Sequence, residues 1–134
     1  TARDLAKAKI KVIVSPDLAA EQSLKKCDLL LFGADAFTKS TVANKIGTST
    51  LVNLAKSHNV PRYACGVSLK FTNKVKIEKR PSREVWQDNN NKIEVINPAF
   101  DKTKLKNLSG IISEFGILSH KQFVKKAKSK LKSI

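Results

Sequence analysis

The chain has 134 residues, a length for one domain rather than two, with 26 Lys and Arg against 11 Asp and Glu and a formal charge of +15. Hydrophobic residues make up 41% and aromatics 6%, which suits a core built from Leu, Ile, Val and Ala. No apolar run approaches the ~20 residues of a membrane span, and the opening Thr1-Ala2-Arg3-Asp4-Leu5 lacks the basic-then-apolar pattern of a signal peptide. A cytoplasmic setting and no membrane partner are expected.

The basic excess is lysine: only Arg3, Arg62, Arg80 and Arg83 are arginines. Specific nucleic-acid recognition uses arginine forks and stacking aromatics, and neither is clustered here. Any nucleic-acid binding is therefore expected to be weak, sequence-independent and salt-sensitive. Cys27 and Cys65 have no metal-ligand spacing and no CxxC. Both lie in apolar runs and read as small, reduced core residues. Neither a dinucleotide fingerprint nor a P-loop occurs, and His58 and His120 have no acid or metal partner in register. No cofactor and no metal are expected.

Residues 2–8 read as helix, as though the chain began inside a larger protein, and Ile10-Lys11-Val12-Ile13-Val14 as a buried strand. Ser15-Pro16-Asp17 carries a capping hydroxyl, a first-turn proline and an acid facing the helix dipole, opening a helix to about Lys26. Asp28 to Phe32 is a central strand by its hydrophobicity. Residues 34–41 form a polar connection, and Leu51, Leu54 and Ala55 mark one face of a helix from Gly47 to Asn59. Arg62 to Val67 is the third strand. Strands alternating with helices at this spacing imply right-handed parallel crossovers.

Beyond Lys70, Val75 to Glu78 alternates like an edge strand, Pro81 to Trp86 suggests one helical turn, and Asp88 to Asn91 a turn. Ile93-Glu94-Val95-Ile96 is a fourth parallel strand. Lys104 to Glu114 reads as a short helix with Leu105, Leu108, Ile111 and Ile112 inward. The last helix starts at Ser119, which has capping-box spacing to Gln122. Val124, Ala127, Leu131 and Ile134 share one face of it, with lysines over most of the rest. The class is α/β, a mainly parallel sheet with helices on both faces.

Strands ending near Val14, Gly33, Val67 and Ile96 would gather Ser15, Asp17, Asp35, Asn44, Lys45, Ser68, Lys70, Asn97 and Asp101 at their carboxyl edge, where open α/β sheets bind ligands. Asp35, after a glycine and between two alanines, is placed to move protons. Lys45 is placed to hold a phosphate or carboxylate, and Asn44 to bond hydroxyls.

Five segments in order, Leu31-Phe32-Gly33-Ala34-Asp35-Ala36, Asn44-Lys45-Ile46-Gly47-Thr48, Ile77-Glu78-Lys79-Arg80, Asn97-Pro98-Ala99-Phe100-Asp101 and Ile111 to Leu118, span nearly the whole chain. The series resembles the carboxyl-terminal domain of the family that unites the alpha, beta and delta subunits of translation initiation factor 2B with methylthioribose-1-phosphate isomerase and archaeal ribose-1,5-bisphosphate isomerase. The resemblance implies that residues 1–134 are a single Rossmann-like domain without the glycine fingerprint, the carboxyl-terminal part of a larger protein. A helical amino-terminal domain and a first strand–helix unit usually precede it in the family and are not in this chain.

The resemblance further implies that Asp35 is a catalytic acid/base and that Asn44 and Lys45 contact a sugar phosphate. It implies homo-oligomers or association with related subunits. The family's other catalytic residue, a cysteine, falls upstream of Thr1, so neither Cys27 nor Cys65 inherits its role, and the isolated chain is expected to be inactive. Between the two site motifs the family commonly has Asn-Gly; here the stretch is Thr38-Lys39-Ser40-Thr41. Two functions stand side by side: an aldose–ketose isomerase, or a regulatory subunit-like module of the initiation factor 2B type without catalysis.

Overall fold

The computed structural model describes residues 1–88, 90 and 92–132. In chain order these form α1 (Ala2–Lys7), α2 (Ala20–Leu24, entered through a 3-10 turn at Asp17–Ala19), β1 (Leu30–Gly33), β2 (Ala36–Phe37), β3 (Thr41–Lys45), α3 (Thr48–Ser57), β4 (Arg62–Cys65), β5 (Phe100–Lys104), β6 (Gly110–Ser113), β7 (Gly116–Leu118) and α4 (His120–Lys132). The larger sheet has the order β1-β4-β6-β7, parallel across the first two pairings and antiparallel at β6–β7. A smaller antiparallel sheet, β2-β3-β5, lies beside it. The molecule is thus α/β with a mainly parallel principal sheet.

Register places Phe32, Ala64, Ile111 and Leu118 side by side across the larger sheet. Successive strand residues point to opposite faces, so these four share one face. That face meets Phe37, Val42 and Leu105 from the small sheet and its exit, and Phe123 and Ala127 from α4. The rings of Phe37 and Phe123 stand 4.7 Å apart and tilted by 56°, an arrangement worth about 0.5–1.5 kcal/mol beyond the area it buries. Gly66 follows β4 because a Cβ there would lie 2.9 Å from the Phe37 ring and 3.2 Å from Ala34. A second cluster packs Leu24 of α2 and Ala55 of α3 with Val60 and Leu30. The other face of the larger sheet carries Leu31, Tyr63, Cys65, Ile112 and Ile117 by register. It is open: Leu31 is 52% exposed and Ile117 68%.

Several sequence expectations give way to this architecture. Residues 10–14 form no strand, and Ile13 and Val14 are 81% and 80% exposed, since no strand among the described residues completes their ladder. Residues 93–96 and 75–78 form no strand either; at their ends a single antiparallel bridge joins Lys79 to Pro98. Lys104 to Glu114 is not a helix but the end of β5, a 3-10 turn at Leu105–Asn107 and β6. Ile111 and Ile112 therefore point to opposite faces of the sheet. The connection at 34–41 includes a hairpin. Cys27 is exposed rather than buried, its thiol donating to the Ser23 carbonyl at 3.2 Å. Ser15 does not cap α2; its hydroxyl meets that of Ser23 at 3.0 Å. Asn89, Asn91 and Ile134, named above in a turn and a helical stripe, lie outside the described residues. No helix among the described residues is long and apolar enough to cross a membrane.

Candidate functional site

The carboxyl ends of β1, β4 and β6 lie in line because these strands run parallel, and each is followed by a polar residue or turn. After β1 comes Asp35. Its N–H donates to the Ala43 carbonyl at 2.9 Å, while Ala36 pairs with the same Ala43. Two residues thus address one, as in a β-bulge, a device that re-aims a side chain at the end of a strand. The Asp35 side chain is exposed. Beside it, the Lys70 ammonium donates to the Ala34 carbonyl at 2.5 Å. A cation is thereby fixed next to the aspartate by a turn whose backbone is tied to β2, Thr72 N–H bonding the Phe37 carbonyl at 2.8 Å.

Asn44 and Lys45 end β3 on opposite faces of its ladder. Asn44 is half-buried and donates to the Thr48 hydroxyl at 3.2 Å, which donates to the Lys45 carbonyl at 2.7 Å. Lys45 is exposed, and its charge reaches Glu84. Arg80, donating to Glu84 at 3.1 and 2.6 Å, holds that carboxyl below the usual carboxylate range, with Asn97 and Lys45 adding to the effect. The Glu78–Glu84 segment is held to the strand-end loop by Arg80 N–H on the Asn97 carbonyl and Ala99 N–H on the Glu78 carbonyl, at 2.8 and 3.0 Å.

The start of α3 is already occupied by an internal anion. Asp101 Oδ2 accepts the N–H groups of Gly47 and Ser49, both at 2.9 Å, and Oδ1 is buried without a partner. Gly47 takes φ +97°, which suits glycine and turns its N–H toward Asp101. The positive end of the helix dipole is thus neutralised from within the chain.

After β6, Glu114 accepts the Ser68 N–H at 3.0 and 3.2 Å, the Ser68 hydroxyl, and the Lys130 ammonium at 3.0 Å. The Ser68 hydroxyl, with Lys130 and the backbone N–H adding to it, holds the Glu114 carboxyl down to about 2. This clasp ties the turn after β4 to α4.

The structure therefore gathers Asp35, Asn44, Lys45, Ser68, Lys70, Asn97 and Asp101 around the ends of β1, β3 and β4. It leaves out Ser15 and Asp17, since residues 10–14 make no strand. Of the gathered set, Ser68, Lys70, Asn97 and Asp101 had no assigned role in the sequence. The signal for Lys70 was its place four residues after Gly66, at the end of a predicted strand. Nothing local marked the tie from Ser68 to Glu114 across 46 residues.

A model of the initiation factor 2 subunit family matches residues 1–120. The chain belongs to that family. It is 39% identical over 131 residues to methylthioribose-1-phosphate isomerase of Syntrophus aciditrophicus, covering 87% of this chain and 36% of that protein. Identity to ribose 1,5-bisphosphate isomerase of Methanocaldococcus jannaschii is 35% over 127 residues, covering 88% and 41%. Translation initiation factor eIF-2B subunit delta from A. fulgidus superposes with a TM-score of 0.81 at 31% identity, over 94% of this chain and 41% of that one. The chain thus spans about two fifths of the length of the curated relatives it matches.

Proposed function

We propose that this chain is the sugar-phosphate-binding domain of an aldose–ketose isomerase of the ribose-1,5-bisphosphate or methylthioribose-1-phosphate type. The observation that carries the reading is Asp35: an exposed carboxylate on a bulge at the end of β1, with the Lys70 ammonium anchored on the preceding carbonyl. Isomerisation between an aldose and a ketose shifts hydrogen between neighbouring positions with no net oxidation. It needs a group that takes a proton and returns it, and a nearby positive charge to favour the oxyanion that forms meanwhile. Asp35 is the proton-moving group. Asn44, fixed by Thr48, bonds a substrate hydroxyl, and the exposed Lys45 holds the phosphate. Because Asp101 already fills the α3 amides, the phosphate contact falls to side chains rather than to that helix start.

The isolated chain is expected to be inactive, its constellation being incomplete without a cysteine from the rest of the protein. In the whole protein, Asp35→Asn abolishes turnover of both sugar phosphates while the circular dichroism spectrum is unchanged. Lys45→Ala chiefly raises KM, losing a charge-assisted contact of about 1.5–3 kcal/mol. Wild-type turnover by the Asp35→Asn protein overturns the assignment. The likeness to eIF-2B subunit delta, at a TM-score of 0.81, favours a second reading as a regulatory subunit-like module. A whole wild-type protein that turns over neither sugar phosphate selects it.

A further inference from the structure

The lysines of α4 divide into two sets. Lys126 and Lys130 lie over the Phe115 ring, 5.3 and 5.4 Å from its centre, and Lys130 also pairs with Glu114. Lys121, Lys125, Lys128 and Lys132 recur at steps of four, three and four, the spacing of a single helical face. Together with Lys39 from the β2–β3 turn and His120, they line one open groove, and no carboxylate is among the described residues lining it. Lys39 continues the surface into a second groove with Lys104 and Lys106 at the end of β5.

We propose that this face is a binding surface for the phosphate backbone of a duplex nucleic acid. The run from Lys121 to Lys132 covers about 16 Å at 1.5 Å per helical residue. Phosphates advance about 3.4 Å per step along each strand of a duplex, so the row spans roughly five of them. The helix that carries the lysines is anchored: Phe123 and Ala127 on its opposite side are fully buried in the core. That burial also argues against a lipid surface, because α4 has already spent its largest apolar side chain on the core and has little left to insert.

The chemistry of the groove points to a duplex rather than a single strand. Among the described residues no Phe, Tyr or Trp lines it, and Phe115 is covered by its two lysines, so the groove offers the His120 ring alone, too little for the successive base stacking that a single strand uses. With lysine alone and no arginine, the surface reads charge and not sequence.

The test is fluorescence anisotropy of this chain with a labelled DNA duplex, titrated from about 50 to about 200 mM salt. The expected result is binding indifferent to sequence, with log K falling against log salt at a slope of about −4, as four or five phosphate contacts require. The Lys121→Gln/Lys125→Gln/Lys132→Gln triple variant flattens the slope by about 2 to 3 and weakens binding at least about tenfold at low salt. The corresponding Lys→Arg triple retains binding, and Lys7→Gln/Lys9→Gln/Lys11→Gln, which removes the same charge elsewhere, leaves the slope within about one of wild type. Equal losses in the two glutamine triples overturn the proposal, since the effect would then belong to net charge. So does tighter binding to the single strand, or sedimentation with phosphatidylserine vesicles without binding to the duplex.

Discussion

The hydroxyl and backbone N–H of Ser68 both donate to the carboxylate of Glu114, 46 residues further along the chain. One side chain thus joins the turn after β4 to the turn after β6, and through Lys130 it holds α4 against both.

The clasp has a pH dependence with a definite sign. Glu114 titrates at about 2 in the folded protein instead of 4.5. A carboxyl whose folded value is depressed stabilises fully above its unfolded value and loses that contribution as pH falls toward the folded one. The thermal midpoint of the wild type therefore drops between about pH 5 and pH 2 more steeply than that of Glu114→Gln. The gap between the two is widest near neutrality and closes at the acid end. Parallel melting curves across this range would show that the clasp contributes nothing.

Asp101 satisfies two N–H groups at the start of α3. Asp101→Ala leaves both unpaired and removes a charge from the helix dipole, for a loss of about 1–2 kcal/mol in chemical denaturation. Asp101→Asn keeps an accepting oxygen and costs less. An alanine variant as stable as wild type would mean that water caps α3 equally well.

Gly66→Ala forces a methyl to within 2.9 Å of the Phe37 ring, which also packs against Phe123. Neither ring has free space, so the expected loss is about 1–3 kcal/mol by denaturant titration. The double variant Gly66→Ala/Phe37→Leu recovers part of the loss from the single glycine change, because the ring in conflict is gone.

The open face of the larger sheet should drive association of this chain. Leu31 and Ile117 are half or more exposed on a face that also carries Tyr63 and Ile112, and contiguous apolar surface of this kind marks a contact site. Light scattering is expected to give a mass above that of one chain, and Leu31→Lys/Ile117→Lys to return it toward the monomer. A wild-type monomer throughout the micromolar range would count against this use of the face.

Local signals were enough wherever a structure closes on itself within a few residues. The capping box of α4 forms as its spacing indicates: Gln122 accepts from the Ser119 N–H and hydroxyl at 3.0 and 2.7 Å. The apolar face of α3 at Leu51, Leu54 and Ala55 packs inward, and Asn59 ends that helix at φ +57°. The continuous apolar run through β1 and its Gly-Ala-Asp exit placed a carboxylate at a strand end, and the order of five motifs carried the family.

Tertiary structure decided whatever depended on a distant partner. Ile10–Val14 and Ile93–Ile96 have strand-like composition, yet a strand exists only where another offers it hydrogen bonds, and none among the described residues does so for these segments. Leu105, Leu108 and Ile111 have the spacing of a helix, but β4 pairs with residues 110–112 and draws them into the sheet. The site divides the same way. Asp35, Asn44 and Lys45 are readable from the sequence because each sits at the end of a recognisable element. Lys70 on the Ala34 carbonyl, Asp101 on the α3 amides and Glu114 on Ser68 are contacts across 36 to 54 residues. Only the folded chain, having spent the entropy to close those loops, brings such groups within hydrogen-bonding distance.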